Sequence, residues 1–363
     1  MRRALSLLGA LAVAGCWLDG DLKQRRTTVP EALDDGWAVA TPEEVDLDPA
    51  ALAELHARIL DEDRFVGMTG MIVVKRGKLV WETYLRSPAD RDRRHNVQSI
   101  TKSVTSLVVG TAIARGELGG VEATLRELFP TEAAELEPRK QAMTLEHILT
   151  MRSGLDLDND RFSIELWVDE PRDPLRYILS QRLFADPGAR YDYRDVDPQI
   201  AGYALTRATG RSELDLARER LFDPLGISDV DWPSGRDGVT QAPHGLRLRP
   251  RDLAKLGQLV LQGGTWDGVE RVPAAWIEAA TGARVLTDKA DDRGQPVAYG
   301  YYFWVVPGLG YAMRGHGGQF VFVVPADELV VVALAYPHAE LHGSTIDEIL
   351  PLVRLLVGPG GGS

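Results

Sequence analysis

A serine three residues before a lysine, Ser99-Ile100-Thr101-Lys102, is the pair in this sequence best placed for covalent chemistry. On a helix the two side chains lie one turn apart on one face. A serine hydroxyl is a weak nucleophile until a neighbouring base or charge activates it, and a lysine held out of water can do so. The residues around the pair place it out of water. Ile100, Val104, Leu107, Val108, Val109, Ala112 and Ile113 cover most of the helical wheel, and a helix that is apolar nearly all round is buried. Against them Ser99, Lys102, Ser103 and Ser106 form one narrow polar stripe. A serine that only caps the helix, with a lysine snorkelling to solvent, gives the same short pattern. The pair therefore needs support from elsewhere in the chain.

Two later segments supply it. Pro187-Gly188-Ala189-Arg190-Tyr191-Asp192-Tyr193-Arg194-Asp195 leads into a helix at Ile200-Ala201-Gly202, and Gly315-His316-Gly317-Gly318-Gln319-Phe320 opens a run of strands. Serine, then tyrosine, then a glycine-rich strand resembles the three-motif signature of the serine β-lactamase and penicillin-binding-protein superfamily. The resemblance is closer to the class C-like branch with Y-x-N and H-x-G variants, which includes esterases, D-amino-acid peptidases and 6-aminohexanoate-dimer hydrolases. Met143 to Leu155, Phe222 to Gly226 and Gly245 through Ala254 look like that branch too, so the resemblance runs from about Asp46 to Val357.

That resemblance implies an acylated Ser99, with Lys102 accepting its proton or supporting the base. Tyr193 is implied as a second base or acid, and the backbone N–H groups of Ser99 and Gln319 as the oxyanion hole. His316, Gly317 and Gly318 are implied as substrate contacts, the glycines leaving a strand edge open to approach. One position departs from the pattern: the second motif ends in Asp195 rather than asparagine. An ionised Asp only accepts hydrogen bonds, which removes the donor from the usual contact to a substrate amide, unless Asp195 pairs with Lys102 instead. A lysine is also missing from the third motif, where His316 stands. Histidine and Asp195 together predict a cleft that favours neutral esters and amides over carboxylate-bearing β-lactams.

The elements that would carry these residues suggest an α+β fold. Leu52, Leu55 and Ile59 give the segment from Pro49 to Leu60 helical spacing. Gly70 to Val74 and Lys78 to Trp81 read as strands around the turn Arg76-Gly77. Helix-length segments from Leu145 to Met151, Leu175 to Gln181, Ile200 to Thr209 and Glu213 to Leu221 fill the middle of the chain. Strand character returns at Tyr299 to Val306, Gln319 to Val324 and Leu329 to Leu334, before a helix around Ile346 to Leu356. Both ends of the chain thus complete one antiparallel sheet flanked by helices, with an inserted helical subdomain at about 121–235. The serine hydrolase domain is expected over 45–357, followed by a flexible tail at 358–363.

The N-terminus reads separately. Arg2 and Arg3, an apolar run from Ala4 to Ala14, and Gly15 have the layout of a secretory signal too short to span a bilayer. Val13-Ala14-Gly15-Cys16 resembles a lipobox, which implies removal of 1–15 and lipid attachment at Cys16. Residues 16–44 would then tether the protein to a membrane of the cell envelope, facing the periplasm or the exterior.

The 363 residues, 44% hydrophobic and 26% charged, are enough for a real core, and a net charge of -12 argues against nucleic acid as a partner. The expected partner is a small-molecule or peptide ester or amide. No metal or other cofactor is expected: His338, Glu340 and His342 lack the H-E-x-x-H order, and G-x-S-x-G is absent. Asp156, Asp158 and Asp160 alternate like a calcium loop but have Arg161 in place of the glycine, so they read as an acidic loop. The rival from another class is a non-catalytic cell-wall binding or scaffold protein with this fold. Asp195 alone favours it, and Ser99, Lys102 and Tyr193 together oppose it.

Overall fold

The computed structural model describes residues 29–169, 171–336 and 345–358. Cys16 and its leader, and His338, Glu340 and His342, lie outside the described residues. The main sheet contains β1 (Ala38–Val39), β2 (Met68–Lys75), β3 (Lys78–Tyr84), β4 (Val285–Ala290), β5 (Pro296–Tyr299), β6 (Trp304–Val306), β7 (Gly310–Gly315), β8 (Gln319–Val324) and β9 (Leu329–Ala335). They run β1-β3-β2-β9-β8-β7-β6-β5-β4 across the sheet. All neighbours are antiparallel except β1 and β3. N-terminal β2 pairs with C-terminal β9, Val73 facing Val331, so the two ends of the chain close the sheet at its centre. Every residue of β2, β8 and β9 is buried, which requires cover on both faces. This is the expected α+β architecture.

The helices that matter below are α1 (Pro49–Asp61), α2 (Ile100–Ala114), α3 (Asn159–Trp167), α4 (Val196–Thr209), α5 (Glu213–Ala217), α6 (Pro250–Leu261) and α7 (Ile346–Leu355). Helix α1 starts at Pro49 because Asp48 caps it, accepting from the Ala50 N–H at 2.9 Å. Its buried side chains are Leu52, Leu55 and Ile59, as their spacing predicts, and it packs on α7. Helix α6 lies against β2, β8 and β9. Gly257 permits that approach: a Cβ there would stand 2.6 Å from Val330 Cγ1 and 2.7 Å from Val321 Cγ1. Helix α2 runs between the sheet and the helical region, touching β7, β8 and α4.

Three expectations differ from the structure. The run Tyr299 to Val306 is two strands, not one. The chain reverses at Gly300, whose N–H donates to Phe303 O at 2.9 Å, and Tyr302 takes φ 64°. Tyr301 and Tyr302 then reach across to Glu146 and to Ile148 O, at 2.8 and 3.2 Å. Long-range hydrogen bonding of their hydroxyls, rather than strand alternation, explains these aromatics. The acidic loop at Asp156 to Asp160 contains a helix start: the Asp158 side chain accepts from Arg161 N–H at 2.9 Å and caps α3. Finally, part of the expected tether is docked. Trp37 is buried and donates to Arg251 O at 3.1 Å, and Asp35 pairs with Arg251 at 2.8 Å.

Helix α5 carries a cost of burial that can be measured. Glu213 is fully buried, forms no ion pair among the described residues, and burial pushes its carboxyl up to about 8 from an ordinary 4.5. Between those values the unfolded chain has released the proton and the folded chain keeps it, so stability falls as pH rises from about 4.5 to about 8. Glu213→Gln removes this titration. The variant should gain thermal stability over wild type as pH rises from 5 to 8, by up to a few kcal/mol. A pH-independent difference in melting temperature would contradict the assignment.

Candidate active site

The polar stripe of α2 forms the floor of a cleft. A tight turn lifts Ser99 to the helix start: Gln98 N–H donates to Asn96 Oδ1 at 2.9 Å, and Thr101 Oγ1 donates to Gln98 O at 2.6 Å. Gln98 holds φ 53°, a left-handed conformation that a non-glycine residue adopts at some cost and that gathers at functional sites. The Ser99 N–H bonds to no described residue, as an oxyanion donor requires. Ser103 is excluded from chemistry by its own contact, a 2.6 Å donation to Tyr302 O.

Lys102 is 1% exposed. Its Nζ lies 2.7 Å from Ser99 Oγ, 2.8 Å from Pro243 O and 2.7 Å from Asp195 Oδ1. An ammonium has three N–H donors and no acceptor, and these three acceptors account for all of them. Burial pulls the lysine down, but the Asp195 carboxylate and Tyr193 outweigh it and hold Lys102 above the ordinary lysine range. A protonated Lys102 orients Ser99 and stabilises negative charge on Oγ, but it has no lone pair to take the proton. Tyr193 stands next in line, its ring centroid 5.0 Å from Lys102 Nζ and 5.6 Å from the Trp304 ring.

Asp195 is therefore placed beside Lys102, which neutralises the negative charge expected to repel anionic substrates. The residue that fixes this loop is Asn159 at the start of α3. Its Oδ1 accepts from Asp195 N–H at 2.8 Å, and its Nδ2 donates to Tyr193 O at 3.5 Å. Asn159 escapes a motif search because it lies in the segment read as an acidic loop. Asp197, two residues beyond Asp195, is buried and pushed up to about 7 by that burial. It accepts from the Ser153 N–H at 3.3 Å and from the Ser153 hydroxyl, tying Ser153 to the first turn of α4.

The third motif is a hairpin turn rather than a strand. His316, Gly317 and Gly318 join β7 to β8, with Gly315 opposite Gln319. Gly317 and Gly318 take φ 71° and 93°, so the turn itself demands glycine. The close approach to the turn before Ser99 is made by Gly315, where a Cβ would lie 2.3 Å from Val97 O. The Gln319 side chain is buried and donates to Ala335 O at 2.6 Å and Gly317 O at 3.2 Å, leaving only its backbone for substrate. His316 is exposed on the turn and lines the cleft.

The cleft is open and has a volume of about 1330 Å³. Ser99, Tyr193, Asp195 and His316 line it together, with His244, Trp304, Arg314 and residues 285–289 of β4. Burial pushes the His244 imidazole down, which favours its neutral form. The site thus offers a hydroxyl bound to an ammonium, a phenol beside them, and room for an extended small molecule.

A family model described as Beta-lactamase matches residues 52–337. The 6-aminohexanoate-dimer hydrolase of Paenarthrobacter ureafaciens is 25% identical over 346 residues, 87% of this chain and 86% of that protein. Esterase EstB of Burkholderia gladioli is 28% identical over 228 residues, 56% of this chain and 57% of its own. The solved structure of a family VIII carboxylesterase superposes with a TM-score of 0.68 at 17% identity, over 88% of this chain and 98% of its own.

Proposed function

The chain belongs to the beta-lactamase family, and we propose that it hydrolyses an ester or amide bond through an acyl-enzyme on Ser99. The observation that carries this reading is the placement of Lys102 Nζ, 2.7 Å from Ser99 Oγ on the floor of an open cleft. Ser99 Oγ attacks the carbonyl carbon, and its proton passes to Tyr193 Oη as the Tyr193 hydroxyl hands its own proton to the leaving alcohol or amine. The N–H groups of Ser99 and Gln319 receive the oxyanion, while the Lys102 ammonium stays charged throughout. Water then attacks the acyl-enzyme, its proton passing to Tyr193 Oη while the Tyr193 hydroxyl proton returns to Ser99 Oγ.

Esters and unstrained amides are proposed as better substrates than β-lactams. A β-lactam bears its carboxylate one carbon from the scissile nitrogen, and the third-motif position offers His316 there instead of a lysine. Relatives named as a 6-aminohexanoate-dimer hydrolase and an esterase support the same choice. A short-chain aryl ester, a D-amino-acid dipeptide and a cephalosporin should be assayed side by side. The ester should exceed the cephalosporin in kcat/KM by about a hundredfold or more, and equal rates would overturn this preference.

The same protein is proposed to work from a lipid anchor at Cys16, on the strength of Arg2, Arg3 and the apolar run that precedes Val13-Ala14-Gly15-Cys16. Cys16→Ser should move the protein out of the membrane fraction. An unmodified Cys16 in the mature protein's mass spectrum would remove the anchor from this account.

A further inference from the structure

One wall of the cleft hangs from the edge of the sheet. Residues 285–289 of β4 line the cleft, and β4 is the last strand, paired on one side only. Even that pairing is interrupted. Val285 and Leu286 face Tyr299 and Ala298, the register then shifts, and pairing returns at Ala290 opposite Pro296. Thr287, Asp288 and Lys289 thus lie on a bulge, without ladder partners. Within it the Thr287 hydroxyl donates to Val297 O at 2.7 Å and accepts from the Lys289 N–H at 3.1 Å. Asp288 and Lys289 pair only with each other, in solvent. Such a segment opens readily unless its far end is held.

Arg354 holds that end. The turn from β4 to β5 begins at buried Asp291, whose Oδ1 accepts from the Arg293 and Gln295 N–H groups at 2.9 and 2.7 Å. Its Oδ2 accepts from Arg354 Nη2 at 3.0 Å, and both carboxylate oxygens of Asp292 accept from Arg354 Nε at 3.0 Å. The side chains of Arg354, Asp291 and Asp292 are 12%, 0% and 12% exposed. A guanidinium fork gripping two carboxylates so far from water fixes direction as well as distance. Arg354 lies in the last turn of α7, and α7 packs on α1. The wall is therefore tied to a helical layer as well as to its neighbouring strand.

We propose that Arg354, through Asp291 and Asp292, is a positioning residue that sets the β4 wall of the cleft and so governs binding of extended substrates. These are esters or amides whose ends reach well past the reacting group. Arg354 does not itself line the cleft, and a substrate too short to meet Thr287 to Lys289 is indifferent to it. This role rests on the acyl-enzyme reading above and adds to it the part of the site that grades substrates by length.

Ethyl acetate and benzyl 3-phenylpropanoate separate the two cases, since the second extends on both sides of the scissile bond. Arg354→Gln should lower kcat/KM for the benzyl ester by about tenfold or more, through KM, and leave ethyl acetate within about twofold of wild type. Arg354→Lys, which keeps the charge, should recover part of the loss. Should Arg354→Gln fail to fold, Asp292→Asn, which spares the Asp291 contact, should show the same split at smaller size. Equal losses on the two esters, or no loss on either, would overturn the role. In hydrogen exchange the amides of 286–290 should open about tenfold faster in Arg354→Gln, with those of α2 at wild-type rates. Unchanged exchange at 286–290 would overturn it as well. Binding of benzyl 3-phenylpropanoate to Ser99→Ala, followed by NMR titration, requires no turnover. Binding about tenfold weaker once Arg354→Gln is added supports the positioning role even if neither ester is hydrolysed, in which case only the acyl-enzyme reading falls. Equal binding sinks the positioning role and leaves the hydrolase reading standing.

Discussion

Ser99→Ala should reduce kcat for a short-chain aryl ester by at least about a thousandfold while leaving the fold intact. The cleft supplies no substitute for the lost hydroxyl at that position. Ser103, one turn along the stripe, donates to Tyr302 O at 2.6 Å and is buried. The alanine costs little in stability, because Ser99 makes no side-chain cap of α2 and its Oγ is simply one of three acceptors for Lys102. Circular dichroism and the melting temperature should therefore match wild type. Residual turnover within tenfold of wild type would mean that the chemistry runs through another nucleophile.

The second large effect is at Lys102. Lys102→Met should lower kcat/KM by about a hundredfold or more, since Ser99 loses its orienting donor and the developing alkoxide loses its counter-charge. The change also strands the Asp195 carboxylate, 13% exposed as a side chain, without its 2.7 Å partner. Breaking such a pair typically costs about 3–5 kcal/mol, so a melting-temperature drop is expected beside the kinetic one. Adding Asp195→Asn separates the two consequences. The double variant Lys102→Met/Asp195→Asn should regain much of the lost stability and none of the activity. Recovery of turnover in the double variant would show that Lys102 acts only by neutralising Asp195.

Asp195→Asn alone has a different signature. It removes the strongest influence holding Lys102 above the ordinary lysine range. The lysine should then lose its proton at lower pH, and the alkaline limb of the pH–rate profile should move down with it.

What could be read in the sequence depended on how local the signal was. The Ser99–Lys102 stripe was legible because a helical period and residue type settle it within one turn of α2. Tyr193 and the turn at His316 were legible only through their order in the chain and their resemblance to known motifs. Asn159, the Pro243 carbonyl and Gly315 were not, because each acts through a contact far away in sequence: 36 positions from Asn159 to Asp195, and 141 from Lys102 to Pro243. The division of Tyr299 to Val306 into β5 and β6 was hidden for a related reason. Its aromatics answer to Glu146 and Ile148 across the domain, not to neighbours along a strand.

The bond between Ser99 Oγ and an acyl group is the decisive one, and mass spectrometry can find a covalent adduct at that oxygen directly. Wild-type protein incubated with a serine-reactive fluorophosphonate should gain the mass of a single adduct. Peptide mapping should place that adduct on Ser99, and Ser99→Ala should remain unlabelled under the same conditions. No adduct on the folded wild type, or an adduct on Ser103 or Ser163 that persists in Ser99→Ala, would contradict the assignment of Ser99 as the nucleophile.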